Sequence, residues 1–373
     1  MQRLKPYIHQ KEAWPTFSWD DSQLIELLSS VRNLQGMMIG KMEALGFNLK
    51  NEALFETLTI DTIKSTEIEG EILNLDEVRS SLAKRLGMDI EHPVHPARNV
   101  DGMVDMLLDA TQNYNLKLSK KRLYNWHSAL FPGGTSGLFK ITVGKCRIDS
   151  TGPMQVVSGA LGKEKVHFEA PNSDLINSEM TAFIKWFNSS KKLDPVLKAA
   201  VAHLWFITIH PFEDGNGRIA RALTDMLLSR ADGVGKRYYS MSAQIRIERK
   251  GYYQMLEKTQ QGTLDITVWL LWFLTCLQNA LHASNTTLNK VLFKHHFWNK
   301  YAKEINNERQ KLMLNKLLDG FTGKLNTSKW AKITKCSTDT ALRDIQFLMK
   351  KGILKKEAAG GRSTNYELIK EIN

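Results

Sequence analysis

Apolar side chains recur at three- and four-residue intervals along most of this chain, the spacing that gives a helix one dry face. Asp21 to Leu45 reads as a helix with Leu24, Leu27, Leu28 and Val31 on that face, Asn51 to Glu67 as a second and Leu75 to Arg85 as a third. The period returns over Leu175 to Asn188, Pro195 to Thr208, about Gly217 to Arg230, Arg249 to Leu256 and Ile266 to Leu281. Only 9 prolines interrupt the whole chain, so a mainly α fold is expected. Two stretches depart from the pattern. Met1 to Asp20 is irregular and dense in aromatics (Tyr7, Trp14, Phe17, Trp19), as in an extended arm pinned onto a core. Gly133 to Pro171 holds seven of the 24 glycines and three β-rich runs, Ile141 to Val143, Gln155 to Val157 and Val166 to Phe168. Strands and loops are expected there, with a hairpin near Met154 to Phe168.

With 42% apolar and 24% charged residues over 373 positions, the composition is that of a soluble globular protein of more than one domain. No apolar run is long enough to span a bilayer, and Met1 to Trp19 lacks the apolar segment of a secretion signal, so a cytoplasmic protein with no membrane contact is expected. Cys146, Cys276 and Cys336 lie far apart, which argues for a reducing compartment and against a disulfide framework or a paired-cysteine zinc site. The net charge of +12 is uneven: from Lys290 to Asn373 there are 18 Lys and Arg against 8 Asp and Glu. Such a basic segment fits either a nucleic-acid contact or a well-solvated surface.

The stretch richest in chemistry is His210-Pro211-Phe212-Glu213-Asp214-Gly215-Asn216-Gly217-Arg218-Ile219-Ala220-Arg221. An apolar helix ends just before it, Pro211 prevents simple continuation, and a second helix starts at about Gly217. Gly215 and Gly217 around Asn216 let backbone N–H groups converge at a helix N-terminus, a ready anion site. Arg218 and Arg221, three apart, share a helix face and can each grip phosphate oxygens. Asp214 offers a hard oxygen ligand for Mg²⁺ shared with phosphates. His210 is the group whose proton affinity suits a general base near neutrality.

These residues match His-x-Phe-x-(Asp/Glu)-Gly-Asn-Gly-Arg-x-x-Arg, and the chain therefore resembles the Fic (filamentation induced by cAMP) family. The resemblance implies a helical bundle around the motif loop, a small β-hairpin flap that aligns the target segment, and transfer of AMP from Mg-ATP to a Ser, Thr or Tyr hydroxyl of a protein. It implies His210 as base, Asp214 as Mg²⁺ ligand, Gly215, Asn216 and Gly217 as phosphate cradle, and Arg218 and Arg221 as phosphate clamps. It reaches Val156, Val157, Ser158 and Gly159 as the flap, and the pair Tyr252 and Tyr253 as a border for the adenine. A homodimer belongs to the same expectation.

Ser65-Thr66-Glu67-Ile68-Glu69-Gly70 resembles the family's inhibitory motif, (Ser/Thr)-x-x-x-Glu-(Gly/Asn). Ser65 and Glu69 are one helical turn apart and so share a face, and Gly70 is a natural helix stop. A carboxylate delivered to Arg221 would occupy the clamp meant for the γ-phosphate. Glu67 and Glu71 are expected to point elsewhere.

At the C-terminus, Glu308 to Leu318, Thr327 to Ile333 and a helix capped by Ser337 precede short strands at Ile353-Leu354 and Tyr366 to Leu368. That is the order of a winged helix-turn-helix, with Leu342, Ile345, Leu348 and Met349 inward, Thr340, Arg343 and Gln346 outward and Arg362 at the wing tip. Contact with DNA and use in dimerisation or protein binding both fit. The expected organisation is an N-terminal helical region over 1–110 with the inhibitory helix at about 61–70, a catalytic core over 111–287, and a linker plus winged helix over 288–373. An autoinhibited adenylyltransferase is the first reading. A DNA-binding regulator using the Fic body as a nucleotide sensor, and removal of AMP, are the alternatives.

Overall fold

The computed structural model describes residues 6–44, 47–149, 152–159, 165–189, 193–305, 307–321, 323–357 and 364–369. The chain divides into two compact units, Met1–Thr287 and Leu288–Asn373.

In the first unit, helices α1 (Asp21–Glu43), α2 (Phe47–Ile68), α3 (Leu75–Leu86), α4 (Arg98–Gln112) and α5 (Lys120–Leu130) precede two small antiparallel pairs. These are β1 (Thr135–Ser136) with β2 (Phe139–Lys140), and β3 (Gln155–Ser158) with β4 (Lys165–Glu169). Helices α6 (Ser173–Phe187), α7 (Pro195–Ile209), α8 (Asn216–Asp232), α9 (Met241–Ile247), α10 (Arg249–Gln260) and α11 (Thr267–Tyr301) follow, the residues of α11 from Leu288 onward belonging to the second unit.

The core is built around α7. Asp194 caps it, accepting from Val196 N–H at 2.8 Å, and Pro195 occupies the first turn, where its missing donor costs nothing. Of Val196–Ile209 every residue but Lys198 is buried, so this helix is dry on all sides. α8 packs along it with Ile219, Leu223, Met226 and Leu227 buried. α4 and α5, which the sequence reading did not single out, cross so closely that a Cβ on Gly102 would sit 1.7 Å from the Ala129 carbonyl oxygen. The aromatic arm is held as expected. Ser18 N–H donates to the Leu264 carbonyl and Ile266 N–H to the Ser18 carbonyl, each at 2.9 Å, while Trp14 and Phe17 meet Trp205 edge-on.

One expectation needs correction here, and one gains a secondary structure. Ile141 to Val143 is not a strand; the pairing sits just before it, and Thr142 N–H is taken by the Glu213 side chain instead of a ladder partner. The segment expected as a linker, from Leu288, is helical to Tyr301, because Leu288, Val291 and Phe297 keep the buried spacing of α11 going.

The second unit contains α12 (Glu308–Leu318), α13 (Thr327–Thr334), α14 (Thr338–Lys350) and an antiparallel pair, β5 (Leu354–Lys356) with β6 (Tyr366–Leu368). Phe297, Met313, Leu314, Trp330, Ile345 and Leu348 form its own core. On α14 the buried phase is Ala341, Asp344, Ile345 and Leu348, which leaves Leu342 exposed, not inward. Arg343 and Gln346 face solvent, whereas Thr340 is half-buried against Ser337 at 2.9 Å. Arg362 lies outside the described residues.

Candidate active site

The loop between α7 and α8 is shaped by two left-handed residues. His210 ends α7 at φ 50°, ψ 59°, a conformation that non-glycine residues adopt only when their surroundings force it. Gly215 turns the chain into α8 at φ 80°, with no room for a Cβ, which would meet Phe131 Cε2 at 2.9 Å. Between them Asn216 closes the turn on itself. Its Nδ2 donates to the Phe212 carbonyl at 2.8 Å, and its Oδ1 accepts from Phe212 N–H at 3.0 Å. The Asn216 side chain is therefore a loop clamp, and only its backbone is free to serve an anion.

His210 is half-buried, and burial pushes its imidazole down to about 4. Its Nδ1 lies 3.3 Å from the Ile207 carbonyl oxygen, which requires the proton on Nδ1 and leaves the lone pair on Nε2. At neutral pH the ring is an uncharged base. Arg147 fixes the loop beneath it: its Nε donates to the His210 carbonyl at 2.8 Å and its N–H to the Pro211 carbonyl at 2.9 Å, while the guanidinium pairs with Asp149. His127, stacked on Phe212 at 4.3 Å, bridges Gly144 N–H and the Asp214 carbonyl at 3.1 Å each. Burial likewise pushes its ring down to about 4. Asp214 Oδ1 accepts from Gly215 N–H and Oδ2 from the Ser136 hydroxyl, and Arg218 Nη2 lies 3.7 Å from Oδ2.

At the start of α8 the structure brings both arginines against the end of α2. Arg221, 2% exposed, donates through Nη2 to Glu69 Oε1 at 2.8 Å and to the Ser65 carbonyl at 2.8 Å, and through Nε to Ser65 Oγ at 2.9 Å. Gly70 follows at φ 91°. Gly217 is the space this contact needs: a Cβ there would stand 2.1 Å from Glu69 Oε1. Glu71, expected to point elsewhere, instead meets Arg218 Nη1 at 3.0 Å, because the chain turns at Gly70 and carries residue 71 across the helix N-terminus. Glu67 does face away, toward Lys64 at 2.8 Å and Arg246 at 3.3 Å. Arg218 Nε and Arg221 Nη1 are buried and have no hydrogen-bond partner among the described residues. Two orphaned guanidinium nitrogens beside a helix N-terminus are what an anion would satisfy.

Residues 117–228 match the Fic/DOC family, and residues 7–88 match a domain of unknown function, DUF4172. The chain is 36% identical over 104 residues to the protein adenylyltransferase Fic of Drosophila melanogaster, and 27% identical over 271 residues to that of Drosophila persimilis. Residues 117–228 form a Fic domain.

The matches span 27% and 70% of this chain but only 20% and 46% of those two Drosophila proteins. A Fic family protein from Desulfovibrio desulfuricans G20 shares the fold over 96% of this chain and 100% of its own, at TM-score 0.53 and 18% identity. A Fic-domain signalling protein from Bacteroides thetaiotaomicron VPI-5482 covers 72% of this chain and 97% of its own at TM-score 0.50 and 20% identity. The mainly helical Fic fold with small strand pairs is therefore established for this chain.

Within that Fic domain the residues expected as flap lie on β3 and just after it. Val157, Ser158 and Gly159 are exposed and Val156 half-buried, with a register shift between Val156 and Val157. The two tyrosines part company. Tyr252 is 1% exposed and bonded through its hydroxyl to His203 Nε2 at 2.8 Å, so its ring is packed into the core beneath Arg221. Tyr253 does face the site, its hydroxyl 3.4 Å from Glu69 Oε2 and 3.3 Å from the Ile68 carbonyl. Arg249, one turn earlier, donates to that same carbonyl at 2.6 Å. Sequence reasoning did not find Arg147, His127, Ser136, Phe131 or Arg249.

Proposed function

We propose that this Fic protein transfers AMP from Mg-ATP to a hydroxyl of a protein, and that its own residues 65–71 hold the transfer in check. The observation that carries the reading is the occupation of both clamp arginines by one segment, Glu69 on Arg221 and Glu71 on Arg218, at a helix N-terminus whose remaining buried guanidinium nitrogens are unsatisfied. The Glu69 carboxylate stands where a phosphate would be gripped.

The residues fit a nucleotide and a metal. Gly217, lacking a Cβ, leaves room beside Arg221 that the Glu69 carboxylate fills and a phosphate oxygen would take in its place, and the first N–H groups of α8 have no partner within the helix. Among the described residues no three His, Cys, Asp or Glu gather into a metal site. Asp214 would thus hold Mg²⁺ alone, the other ligands coming from phosphate and water, as suits a hard cation that keeps its hydration. When bound, the metal would neutralise phosphate charge. His210, uncharged and with Nε2 free, would take the proton of the target hydroxyl. That oxygen would bond to the α-phosphorus while the bond to the bridging oxygen breaks and pyrophosphate leaves. Arg147 and His127 keep the loop carbonyls in place so that the base does not drift.

Contact with DNA through the second unit is the companion reading, favoured by Arg343, Gln346 and Lys350 along one exposed side of α14. The transferase reading is tested by incubating the Glu69→Gly chain with Mg-ATP labelled on adenine or on the γ-phosphate, with protein extracts as acceptors. Adenine label on protein and none from the γ-phosphate is expected. Label from the γ-phosphate, or none from either, refutes it.

A further inference from the structure

The flap is a pair of strands, and a two-stranded hairpin is marginal in water unless something packs against it. Its own apolar content is small. Phe168 is buried, but Val157 and Val166 are 47% and 40% exposed. Its position therefore depends on a few grips from outside. The lowest is at the root, where Ala170 N–H donates to the Met154 carbonyl at 2.9 Å. There the buried Arg147 donates through Nη2 to the Pro171 carbonyl at 2.5 Å and through Nε to the His210 carbonyl at 2.8 Å. One guanidinium thus ties the foot of the hairpin to the motif loop.

Above the root β4 is held twice more. The first grip is polar. Val156 pairs with Phe168 and Val157 with Val166, so His167 is an extra residue with no partner across the ladder. Such a bulge re-aims a side chain, and this one sends the ring to α10, where Nδ1 lies 2.8 Å from Glu257 Oε2. Lys165 Nζ lies 3.2 Å from Glu257 Oε1, and Gln261 Nε2 donates to the His167 carbonyl at 3.0 Å. Glu257 and Gln261 continue the four-residue spacing of Arg249 and Tyr253, which hold the Ile68 carbonyl. Flap and inhibitory segment are registered against one stripe of one helix. The second grip is aromatic. Tyr7 and His9, stacked at 5.8 Å, both meet the Phe168 ring edge-on, at 5.1 and 5.6 Å. Tyr7 is the first residue of the DUF4172 match.

We infer that Glu257 and Tyr7 are positioning residues, which hold β4 on its Arg147 root from α10 and from the N-terminal arm so that the flap meets the protein acceptor at a fixed height over His210. The inference rests on the transferase reading above, and it gives the start of the DUF4172 segment a task in the reaction of the Fic domain. Both residues act through β4 and not on the substrate. A flap freed of one grip still pivots on Arg147, so the acceptor is aligned for a smaller share of the time. The loss falls on the acceptor and spares ATP.

The test uses the full chain carrying Glu69→Gly, alone and with Glu257→Ala, Glu257→Gln or Tyr7→Ala. Amide hydrogen exchange over residues 155–169 reads the grip directly. Glu257→Ala is expected to speed exchange there by about tenfold or more, as loss of hydrogen bonds to a charged group does, with exchange in α7 and α8 unchanged. Tyr7→Ala is expected to speed it too, and Glu257→Gln, which still accepts from His167, to change it less. Flap exchange that is unaltered in either alanine variant overturns the role given to that residue. AMP transfer is then followed against a dilution series of protein extract and against Mg-ATP. The alanine variants are expected to need more extract for half-maximal transfer, with the Mg-ATP dependence and the melting temperature unmoved. Faster flap exchange with an unchanged extract dependence overturns the inference, and so does an equal loss of rate at every extract concentration. No transfer by the Glu69→Gly parent brings down the transferase reading instead.

Discussion

Removing the Glu69 carboxylate should release transfer, and the contacts set how far. The ion pair to Arg221 is a charge-assisted hydrogen bond of 2.8 Å in which the arginine side chain is 2% exposed and the glutamate 28%. Such bonds contribute about 1.5–3 kcal/mol. A γ-phosphate must displace the carboxylate before it can use the same guanidinium, so this energy opposes productive seating. At about 1.4 kcal/mol per tenfold, Glu69→Gly should raise turnover by roughly 10- to 10²-fold. Arg221 should not swing away, because Ser65 still holds its Nε and Nη2 through the hydroxyl and the carbonyl. The guanidinium left behind is buried and uncompensated, with Nη1 already orphaned. ATP should therefore raise the melting temperature of Glu69→Gly more than that of the unaltered chain.

The neighbouring glutamates serve as graded controls. Glu71 pairs with Arg218 at 3.0 Å but its side chain is 45% exposed, so solvent screens the contact. Glu71→Ala should activate by no more than about fivefold, as pairs of this kind contribute about 0.2–1 kcal/mol, and the gain should shrink with salt. Glu67→Ala should do nothing, since Glu67 meets Lys64 and Arg246 instead of the clamps. One assay, the initial rate of labelled AMP transfer at saturating Mg-ATP, ranks all three. Equal activation by Glu67→Ala and Glu69→Gly, or none by Glu69→Gly, would refute occupation of Arg221 as the restraint.

His210→Ala should lower transfer by about 10²–10⁴-fold with ATP binding nearly intact. In the unaltered site, protonation of His210 should inhibit only as pH falls toward about 4, where its proton now binds, and not at the ordinary value near 6.5. An acid limb at 6.5 that His210 alone explains would contradict the buried neutral ring. Buried His127 and His203 must also stay neutral in the fold, with protonation pushed down to about 4 and about 3. They contribute stability that is present above pH 6.5 and lost as pH falls through that window, at up to about 1.4 kcal/mol per unit each, which acid melting curves should show. Asp214→Asn should raise the Mg²⁺ concentration needed for half-maximal transfer about tenfold or more, and a wild-type Mg²⁺ dependence would remove Asp214 as the ligand. If the second unit contacts DNA, Arg343→Ala in the full chain should weaken binding and flatten its salt dependence, and no binding at low salt would exclude that role.

Much of the site was legible because its parts lie within twelve consecutive residues. A helix stop, two glycines and two arginines one turn apart encode their geometry locally, so spacing alone places Arg218 and Arg221 on one face of α8. Ser65 and Glu69 were legible for the same reason. Glu71 was not, since its direction depends on the turn at Gly70 and not on helical period. Tyr252 and Tyr253 show the limit from another side. Adjacent residues on a helix point about 100° apart, so one enters the core against His203 and the other faces the site. A motif that names a pair cannot say which member is which.

What the sequence could not show is the layer beneath the motif. Arg147 reaches the His210 carbonyl across 63 positions, Ser136 reaches Asp214 across 78 and His127 reaches the Asp214 carbonyl across 87. His127 lies on the buried stripe of α5 with Leu123, Trp126 and Leu130, where it reads as an ordinary core residue, and the glycine-rich stretch holding the other two reads only as strands and loops. Yet these contacts decide whether the loop is a catalyst or a flexible connection. The loop's own hydrogen bonds are few: Asn216 closes it at Phe212, but His210 sits in a left-handed conformation that costs energy and holds only if its surroundings insist. Arg147 supplies that insistence through two carbonyls in succession, those of His210 and Pro211. On the proposed reading the motif supplies the reacting groups, and the distant, chemically unremarked residues 127–147 fix where those groups stand. Substitutions at Arg147 should accordingly damage turnover more than nucleotide affinity, the opposite of what loss of a phosphate contact at Arg218 would do.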